Sequence, residues 1–320
     1  MSVLLEVKNL ACGHGKLALL KNLNFVINPG ELICLMGPNG CGKTTLLKTL
    51  GGLREVMQGT VWINGKNILD YNASELSKKI SYLLTNKISI PEIRVLELLK
   101  IGRSPYSNFF GRLGKNDVIV IRRVMDELNI LALMDKKFDE LSDGQKQKVL
   151  LARTLVQDTP LVILDEPTTF LDISKKMEMI KLLKNYCHKY HKAILFSSHD
   201  WDLVLEMANK MWIFKEGEHL IHTTPEDLVL NEQVEHYFGH DSFNFSKDTG
   251  LFNESRNYFK KISIDSHTHD RNKIKWTKHA LEKKGHEIVA TGSRVLQIFD
   301  DKWVLENQNY FSIEELLPNL

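Results

Sequence analysis

Short apolar runs separated by turn residues occupy the first part of the chain. They read LLEVKNL, LNFVI, ELICLMG and TVWING, at residues 4–10, 23–27, 31–37 and 60–65. Apolar runs of this length, bounded by Gly, Pro and Asn, predict strands, several of them antiparallel. Across residues 94–157 the apolar residues recur at helical spacing instead, which predicts an inserted helical subdomain.

Strand patterns return after residue 160. The runs LVILDEP, AILFSSHD and KMWIFKEGE lie at residues 161–167, 193–200 and 210–218. A helical pattern across residues 174–190 separates the first two. Because strands that alternate with helices are typical of parallel α/β units, we predict an α/β domain over residues 1–240.

The last part of the chain differs in composition. Residues 241–258 are rich in Asn, Ser, Asp and Lys without a clear period, which predicts a linker. Residues 259–320 predict a small α+β appendage of unknown role, interpreted as a regulatory or dimer-contact domain. Its expected core residues are Trp276, Ala280, Leu281, Trp303 and Leu305.

Composition narrows the class of protein. The chain has 320 residues, of which 43% are hydrophobic and 26% charged, and its net charge of +2 does not indicate a nucleic-acid partner. Four scattered cysteines and the lack of a leader pattern predict a reduced, cytoplasmic compartment. No run approaches the ~18 apolar residues of a membrane span, so any membrane role is expected to act through a partner.

The segment GPNGCGKTT follows one predicted strand and opens a helix. It fits the phosphate-loop pattern, in which backbone amides and a helix N-terminus cradle a triphosphate. We expect Lys43 to contact the β- and γ-phosphates and the Thr44 hydroxyl to bind Mg²⁺. The predicted nucleotide-binding residues are Gly37, Pro38, Asn39, Gly40, Cys41, Gly42, Lys43, Thr44 and Thr45.

Cys41 lies at the predicted helix N-terminus within this loop. A thiol in that position is expected to have a depressed pKa. We therefore predict that Cys41 is alkylated readily without nucleotide and is protected by ATP.

Two acids end the strand in LVILDEP. The carboxyl end of a parallel strand is where open α/β sheets bind ligands. Asp165 is the candidate Mg²⁺ ligand, and Glu166 is the candidate general base for the attacking water.

Four segments together resemble the motifs of ABC-type ATPases in order and spacing. They are GPNGCGKTT, LSDGQKQKVLLARTL, LVILDEPTTFLD and SSHD, and the resemblance covers about residues 3–238. The resemblance implies a P-loop NTPase of ABC type, with a mixed sheet core, an antiparallel β subdomain and an inserted helical subdomain. It also implies ATP hydrolysis coupled to transmembrane transport.

The family works as a head-to-tail pair, so the resemblance implies that each ATP lies between two copies. Ser142, Gly144 and Gln145 would then contact the γ-phosphate held by the other copy. By the same resemblance, His199 is the switch histidine, Asp172 links the two sites, and His14 lies against the adenine.

The sequence departs from the family pattern at two places. Asp143 replaces the first glycine of the family's LSGGQ, and we expect its carboxylate to point away from the phosphate, toward Lys146 or the partner chain; the alternative is a weakened dimer. Thr85, followed by Asn86, stands where the family has a glutamine near Mg²⁺. Its one hydroxyl oxygen makes Thr85 a candidate Mg²⁺ ligand, although its side chain is shorter than that of glutamine. We predict that ATP hydrolysis is preserved and that its coupling to the membrane partner is altered.

The segment GRSPY at residues 102–106 resembles a segment in the ATPases of importers for ferric siderophores, haem and cobalamin. This resemblance implies ATP-driven uptake of an iron chelate or a corrinoid, with a substrate-binding protein as an indirect partner. A single nucleotide module without spanning segments favours a homodimer docked on separate permease subunits, peripheral on the cytoplasmic face of the inner membrane. An exporter ATPase, a soluble ABC ATPase and a P-loop kinase remain alternatives. The same segment is also explained as a connection between two helices.

The tail contains HTHD at residues 267–270. Two histidines on one side of an extended segment could bind a metal, but a solvated loop is the favoured interpretation because a wider set of ligands is lacking.

Overall fold

A computed structural model describes residues 3–84, 92–107, 112–169, 171–214, 220–238, 243–247, 250–254 and 258–320. The chain divides into two compact units, Met1–Tyr237 and Phe238–Leu320.

The first unit contains two sheets and the helices that surround them. Its described strands are β1 Leu5–His14, β2 Leu17–Ile27, β3 Leu32–Met36, β4 Gln58–Ile63, β5 Lys66–Asn67, β6 Ile80–Leu83, β7 Leu161–Leu164, β8 Ala193–Ser197, β9 Lys210–Ile213 and β10 Ile221–Thr223. Its described helices are α1 Lys43–Leu50, α2 Ala73–Ser77, α3 Val95–Gly102, α4 Lys115–Glu127, α5 Asp143–Leu155, α6 Ile173–Tyr190, α7 Trp201–Met207, α8 Pro225–Leu230 and α9 Val234–Phe238. Short 3₁₀ turns lie at Ile68–Asp70, Ser104–Tyr106, Leu131–Leu133 and Phe138–Glu140.

The central sheet has the strand order β10-β9-β3-β8-β7-β6. β3 pairs in parallel with β8 and β9, β7 pairs in parallel with β6 and β8, and β10 is antiparallel to β9. Every residue of β3, β7 and β8 is buried, as expected for strands covered on both faces. The carboxyl ends of these strands therefore meet at one edge, where the predicted phosphate loop and the predicted acids lie.

A second sheet, with the order β2-β1-β4-β5, is antiparallel. Apolar side chains from both sheets and from α1 form one core. Together with the parallel sheet, this arrangement confirms the predicted α/β class with a mixed core and an antiparallel β subdomain.

The segment between the central strands β6 and β7 contains α3, α4 and α5. Arg103, at the end of α3, and Asp117, in the first turn of α4, are both buried. The guanidinium donates to Asp117 Oδ1 from Nε at 2.8 Å and from Nη2 at 2.6 Å, and its Nη1 donates to Val156 O at 2.9 Å. The ring of Tyr106 lies 3.8 Å from the guanidinium carbon. The arginine and tyrosine of GRSPY therefore hold this helical segment together from within.

The second unit is a small α/β fold. Its described strands are β11 Phe243–Ser246, β12 Leu251–Glu254, β13 Lys260–Ser266, β14 His286–Val289, β15 Val295–Ile298, β16 Trp303–Leu305 and β17 Gln308–Tyr310. Its helices are α10 Arg271–Lys283 and α11 Ile313–Leu316, followed by a 3₁₀ turn at Leu317–Asn319. Five strands form a sheet with the order β14-β13-β15-β16-β17. The predicted linker contains a hairpin, because β11 pairs with β12 and Phe245 contacts Phe252.

The predicted core of this unit is correct at Leu281, Trp303 and Leu305, which are all buried. The prediction that Trp276 belongs to the core is wrong, because this residue is 59% exposed. The buried face of α10 instead carries Thr277, whose hydroxyl accepts a hydrogen bond from Trp303 Nε1 at 2.8 Å. Residues 277 and 281 lie one turn apart on that face, which turns position 276 outward.

The HTHD segment follows β13. The His267 ring stacks on Phe299 with centroids 4.7 Å apart, and its Nε2 lies 3.0 Å from Asp265 Oδ2. Within the described ranges no group of three His, Cys, Asp or Glu side chains is placed to hold a metal ion. The position of His267 is therefore explained by local packing.

Candidate active site

The phosphate loop connects β3 to α1. Gly37, Gly40 and Gly42 have positive φ angles of 148°, 81° and 104°. A Cβ at position 37 would lie 2.8 Å from Phe214 O, so a larger residue does not fit there without a shift of the backbone. The loop therefore takes a conformation that its glycines allow.

Lys43 begins α1 and is buried. Its Nζ donates to Gly37 O at 2.7 Å and to Pro38 O at 2.9 Å. Burial lowers the pKa of Lys43, while the nearby Cys41 thiol and the carboxylates of Glu166 and Asp165 act in the opposite direction. This places a cation inside the loop, next to the acids at the end of β7.

A chain of short hydrogen bonds connects the phosphate loop to the ends of β7 and β8. Thr44 Oγ1 donates to Asp165 Oδ2 at 2.8 Å. Ser197 Oγ donates to Asp165 Oδ1 at 2.8 Å and accepts from the backbone N–H of Glu166 at 2.8 Å. The buried Ser197 hydroxyl therefore fixes both acids that follow β7.

Glu166 has a φ angle of +48°, an uncommon conformation for a residue with a side chain. Its Oε1 lies 2.9 Å from His199 Nε2, and its Oε2 accepts a hydrogen bond from Thr169 Oγ1 at 3.0 Å. Backbone strain at such a site is consistent with a functional constraint. Contacts with the His199 and Thr169 side chains therefore fix the orientation of the carboxylate.

The signature segment begins α5. Ser142 caps the helix, its hydroxyl accepting from Gln145 N at 3.4 Å, while Gln145 Oε1 accepts from Ser142 N at 3.1 Å. Asp143 is exposed in the first helical turn, where the helix dipole favours a carboxylate. Within the part of the chain that the structure describes, Asp143 forms no ion pair, so the expected contact with Lys146 is not present in one copy.

Asp172 caps α6 and lies beside the signature segment. It accepts from Lys175 N at 2.9 Å, and its Oδ2 is 2.7 Å from Lys175 Nζ. These bonds from Lys175, with one from Ser174, hold the pKa of Asp172 far below its usual range. The Lys175 side chain also passes Gly144, where a Cβ would lie 3.1 Å from its Cδ. The two predicted contact segments are therefore adjacent, and Ile173, which follows Asp172 in the chain, is 78% exposed.

His14, at the end of β1, is exposed and lies near the start of α1. Its Nε2 is 3.3 Å from Thr45 Oγ1, and its Nδ1 is 2.8 Å from Arg54 Nη1. The structure therefore places the predicted adenine contact beside the phosphate loop.

The predicted depression of the Cys41 pKa is wrong. Burial raises the pKa of the Cys41 thiol, and the opposing effect of the Lys43 charge is smaller. Desolvation of the thiolate therefore outweighs the helix N-terminus on which the expectation was based. Slow alkylation of Cys41 is expected instead.

The structure brings Lys43, Thr44, Asp165, Glu166 and His199 together. The residues Ser142, Gly144 and Gln145 make no hydrogen bond to the phosphate loop within the described part of the chain. The metal prediction for Thr85, with the neighbouring Asn86, lies outside the described residues.

Three residues of the site were missed from sequence. Ser197 and Thr169 could have been found, because each carries a hydroxyl within three positions of a predicted catalytic residue in the chain. Arg54 gives no such signal, because it lies 40 positions from its partner His14.

Comparison with known proteins gives consistent matches. The ABC transporter family profile matches residues 20–169. An uncharacterised ABC transporter ATP-binding protein of Methanocaldococcus jannaschii is 35% identical over 261 residues, covering 82% of this chain and 90% of the relative. The ferric enterobactin transport ATP-binding protein of Escherichia coli is 34% identical over 235 residues, covering 73% of this chain and 87% of the relative.

A solved structure described as an inward-facing, metal-chelate type ABC transporter contains a chain that matches with a TM-score of 0.65. The two are 26% identical, and the match covers 79% of this chain and 96% of the other.

Proposed function

Because this chain belongs to the ABC transporter family of ATP-binding proteins and is an ATPase, we propose that it powers the import of an iron chelate through separate membrane subunits. The observation that carries this proposal is the match to a ferric enterobactin transport ATP-binding protein across 87% of that relative. Siderophores are the favoured cargo. Haem and cobalamin are the other members of the class indicated by GRSPY.

Binding of the triphosphate uses the phosphate loop. Backbone amides around Gly40 and Gly42, the N-terminus of α1 and the Lys43 ammonium supply the positive field. Lys43 already lies within 2.9 Å of two loop carbonyls, so it reaches the phosphates by exchanging those bonds.

Mg²⁺ is the proposed metal. Thr44 and Asp165 fit it, because their oxygens meet at 2.8 Å next to the phosphate loop and both are hard ligands. When bound, the ion would neutralise charge on the β- and γ-phosphates. The Ser197 hydroxyl keeps one Asp165 oxygen occupied and so leaves the other directed at Thr44.

Glu166 is the proposed general base. Its carboxylate would take the proton of the attacking water, and Thr169 would hold the orientation of that carboxylate. His199, 2.9 Å from Glu166 in one copy, is proposed to contact the γ-phosphate and to fix the position of the water.

We propose a homodimer in which Ser142, Gly144 and Gln145 of one copy face the phosphate loop of the other, with Asp172 linking the two sites. The exposure of Ser142 and Ile173 supports this arrangement. None of the described helices combines the length and apolar character of a membrane span. From the likeness to transport ATP-binding proteins, we propose that the chain lies peripherally on the cytoplasmic side of the membrane, docked on permease subunits and served indirectly by a substrate-binding protein.

The inference about the class of solute does not rest on GRSPY. Since Arg103 and Tyr106 are used in packing α3 against α4 and α5, that segment is explained without a solute. The cargo is thus inferred from the named relative alone. The unit Phe238–Leu320 is proposed to regulate the ATPase or to contact the second copy.

The test is reconstitution. The chain is co-expressed with candidate permease subunits, and the purified complex is placed in liposomes. If the complex is an importer, a binding protein loaded with ferric siderophore should stimulate ATP hydrolysis. Labelled iron should then accumulate on the side of the liposome membrane opposite the binding protein. Glu166→Gln in the same complex should bind ATP without accumulation. Stimulation without a binding protein, together with outward movement of solute, would instead support the exporter.

A further inference from the structure

Arg54 follows α1 and reaches back to the end of β1. Its Nη1 donates to Gly13 O at 2.6 Å and to His14 Nδ1 at 2.8 Å. Both acceptors belong to the hairpin that carries His14. A single guanidinium nitrogen therefore fastens this hairpin to the segment after α1.

These bonds determine which nitrogen of the His14 ring carries the proton. A guanidinium can only donate, so His14 Nδ1 must be the acceptor and the ring proton lies on Nε2. That N–H is then directed at Thr45 Oγ1, 3.3 Å away. The imidazole is held at both nitrogens, and its plane is fixed relative to the phosphate loop.

The Arg54 side chain is half-buried, and among the described residues it has no carboxylate partner. A cation next to the phosphate loop without a counter-ion could act in two ways. It could attract the phosphates through its charge, or it could orient His14 through its hydrogen bonds. The geometry favours orientation, since Nη1 is used on Gly13 and His14.

We propose that Arg54 is a positioning residue for adenine recognition, which holds the His14 ring in the plane against which the base stacks. The inference rests on the proposed contact between His14 and adenine. Stacking depends on the relative orientation of two rings. A ring free to rotate would lose part of the base contact, whereas the phosphate contacts would be unaffected.

The experiment measures binding of two probes, Mg-ATP and Mg-tripolyphosphate, to the full chain by calorimetry. Arg54→Met keeps the aliphatic length but removes the charge and the donors. Lys48→Met is the matched control, because it removes a cation from α1 that makes no hydrogen bond to His14. A second pair of variants, His14→Phe and His14→Phe/Arg54→Met, replaces the imidazole with a ring that needs no hydrogen bond.

We expect Arg54→Met to weaken ATP about tenfold, the size of one hydrogen bond to a charged donor, and to leave tripolyphosphate within about twofold. Lys48→Met should alter both probes equally or neither. In the His14→Phe background the Arg54 substitution should no longer affect ATP.

Equal weakening of ATP and tripolyphosphate by Arg54→Met would show that Arg54 acts on phosphate, and would overturn the inference. An unchanged ATP affinity, or an undiminished effect in the His14→Phe background, would overturn it as well. If His14→Ala leaves ATP binding unchanged, the stacking premise is wrong and the inference falls with it. None of these results affects the assignment of the chain as an ATPase, which wild-type hydrolysis tests separately.

Discussion

Replacing Arg103 with methionine should destabilise the first unit severely. Arg103 and Asp117 are only 6% and 8% exposed in their side chains, and their closest atoms are 2.6 Å apart. Burial alone would raise the pKa of Asp117, but the bonds from Arg103 and from Gly114 N–H outweigh it and lower that pKa. Asp117 therefore stays charged inside the fold because Arg103 is present.

The size of the effect follows from what remains after the substitution. Removing one member of a buried pair leaves an uncompensated charge, which typically costs about 3–5 kcal/mol. Arg103→Met also leaves Val156 O without the donor that lies 2.9 Å away. The double variant Arg103→Met/Asp117→Leu removes both charges. It should lose less, about 1–2 kcal/mol, from the two lost bonds to Gly114 N–H at the start of α4 and to Val156 O.

The assay is urea unfolding of the full chain, with hydrogen exchange of α3, α4 and α5 to assign the loss to this segment. Lys137→Met, which breaks the exposed pair with Glu92, is the control and should be much milder. A loss below about 1 kcal/mol for Arg103→Met would refute the reasoning, since a buried charge would then be tolerated alone. Additive losses in the double variant would refute it too, because the two charges would not be coupled.

Three further predictions concern the catalytic site and the second unit. Glu166→Gln should reduce the ATPase rate at least about 100-fold and yield Mg-ATP-dependent dimers by light scattering; a purely monomeric variant would contradict the two-copy site. Asp143→Gly should change the steady-state ATPase rate by less than about threefold, or roughly 0.6 kcal/mol, and a many-fold faster enzyme would show that the carboxylate hinders the closed dimer. His286 is buried, and burial, with Lys260 and Arg294 nearby, lowers its pKa from 6.5. As the pH falls, the unfolded chain therefore protonates His286 before the folded chain does. The contribution of His286 to the stability of this unit is fully present above about pH 6.5 and decreases below it. Hydrogen exchange of β13 at pH 7.5 and 5.5 measures this, and His286→Phe should remove the His286 contribution to the pH effect.

The strand ends of the central sheet were predictable from sequence. The runs LICLM, LVIL and AILF are apolar throughout, and each leads within a few positions to residues of the candidate site. Parallel pairing then brings Thr44, Asp165, Glu166 and His199 to one edge, because all parallel carboxyl ends share it. The candidate site is therefore mostly a consequence of local pattern and topology.

The errors arise where tertiary contacts decide. Helical spacing alone could not show whether Trp276 or Thr277 is buried, because packing against the sheet determines which face of α10 is buried. The hairpin in residues 243–254 lacks alternation strong enough to distinguish it from a linker. For Cys41, the helix terminus was visible in the sequence, but the burial that raises its pKa was not.

The carboxylate in LSDGQ can be understood from the donor and acceptor capacity of its neighbour. The Ser142 hydroxyl already accepts from Gln145 N–H, so its own proton remains available for an oxygen outside the helix. In the proposed homodimer a phosphate of the second copy's nucleotide would suit that proton, whereas Asp143 occupies the first turn, where a carboxylate stabilises the helix. Repulsion of a phosphate in a dry interface would outweigh that stabilisation if the carboxylate faced the nucleotide. The same helix terminus can serve both groups only if Ser142 and Gly144 face the nucleotide while Asp143 faces solvent or the partner chain.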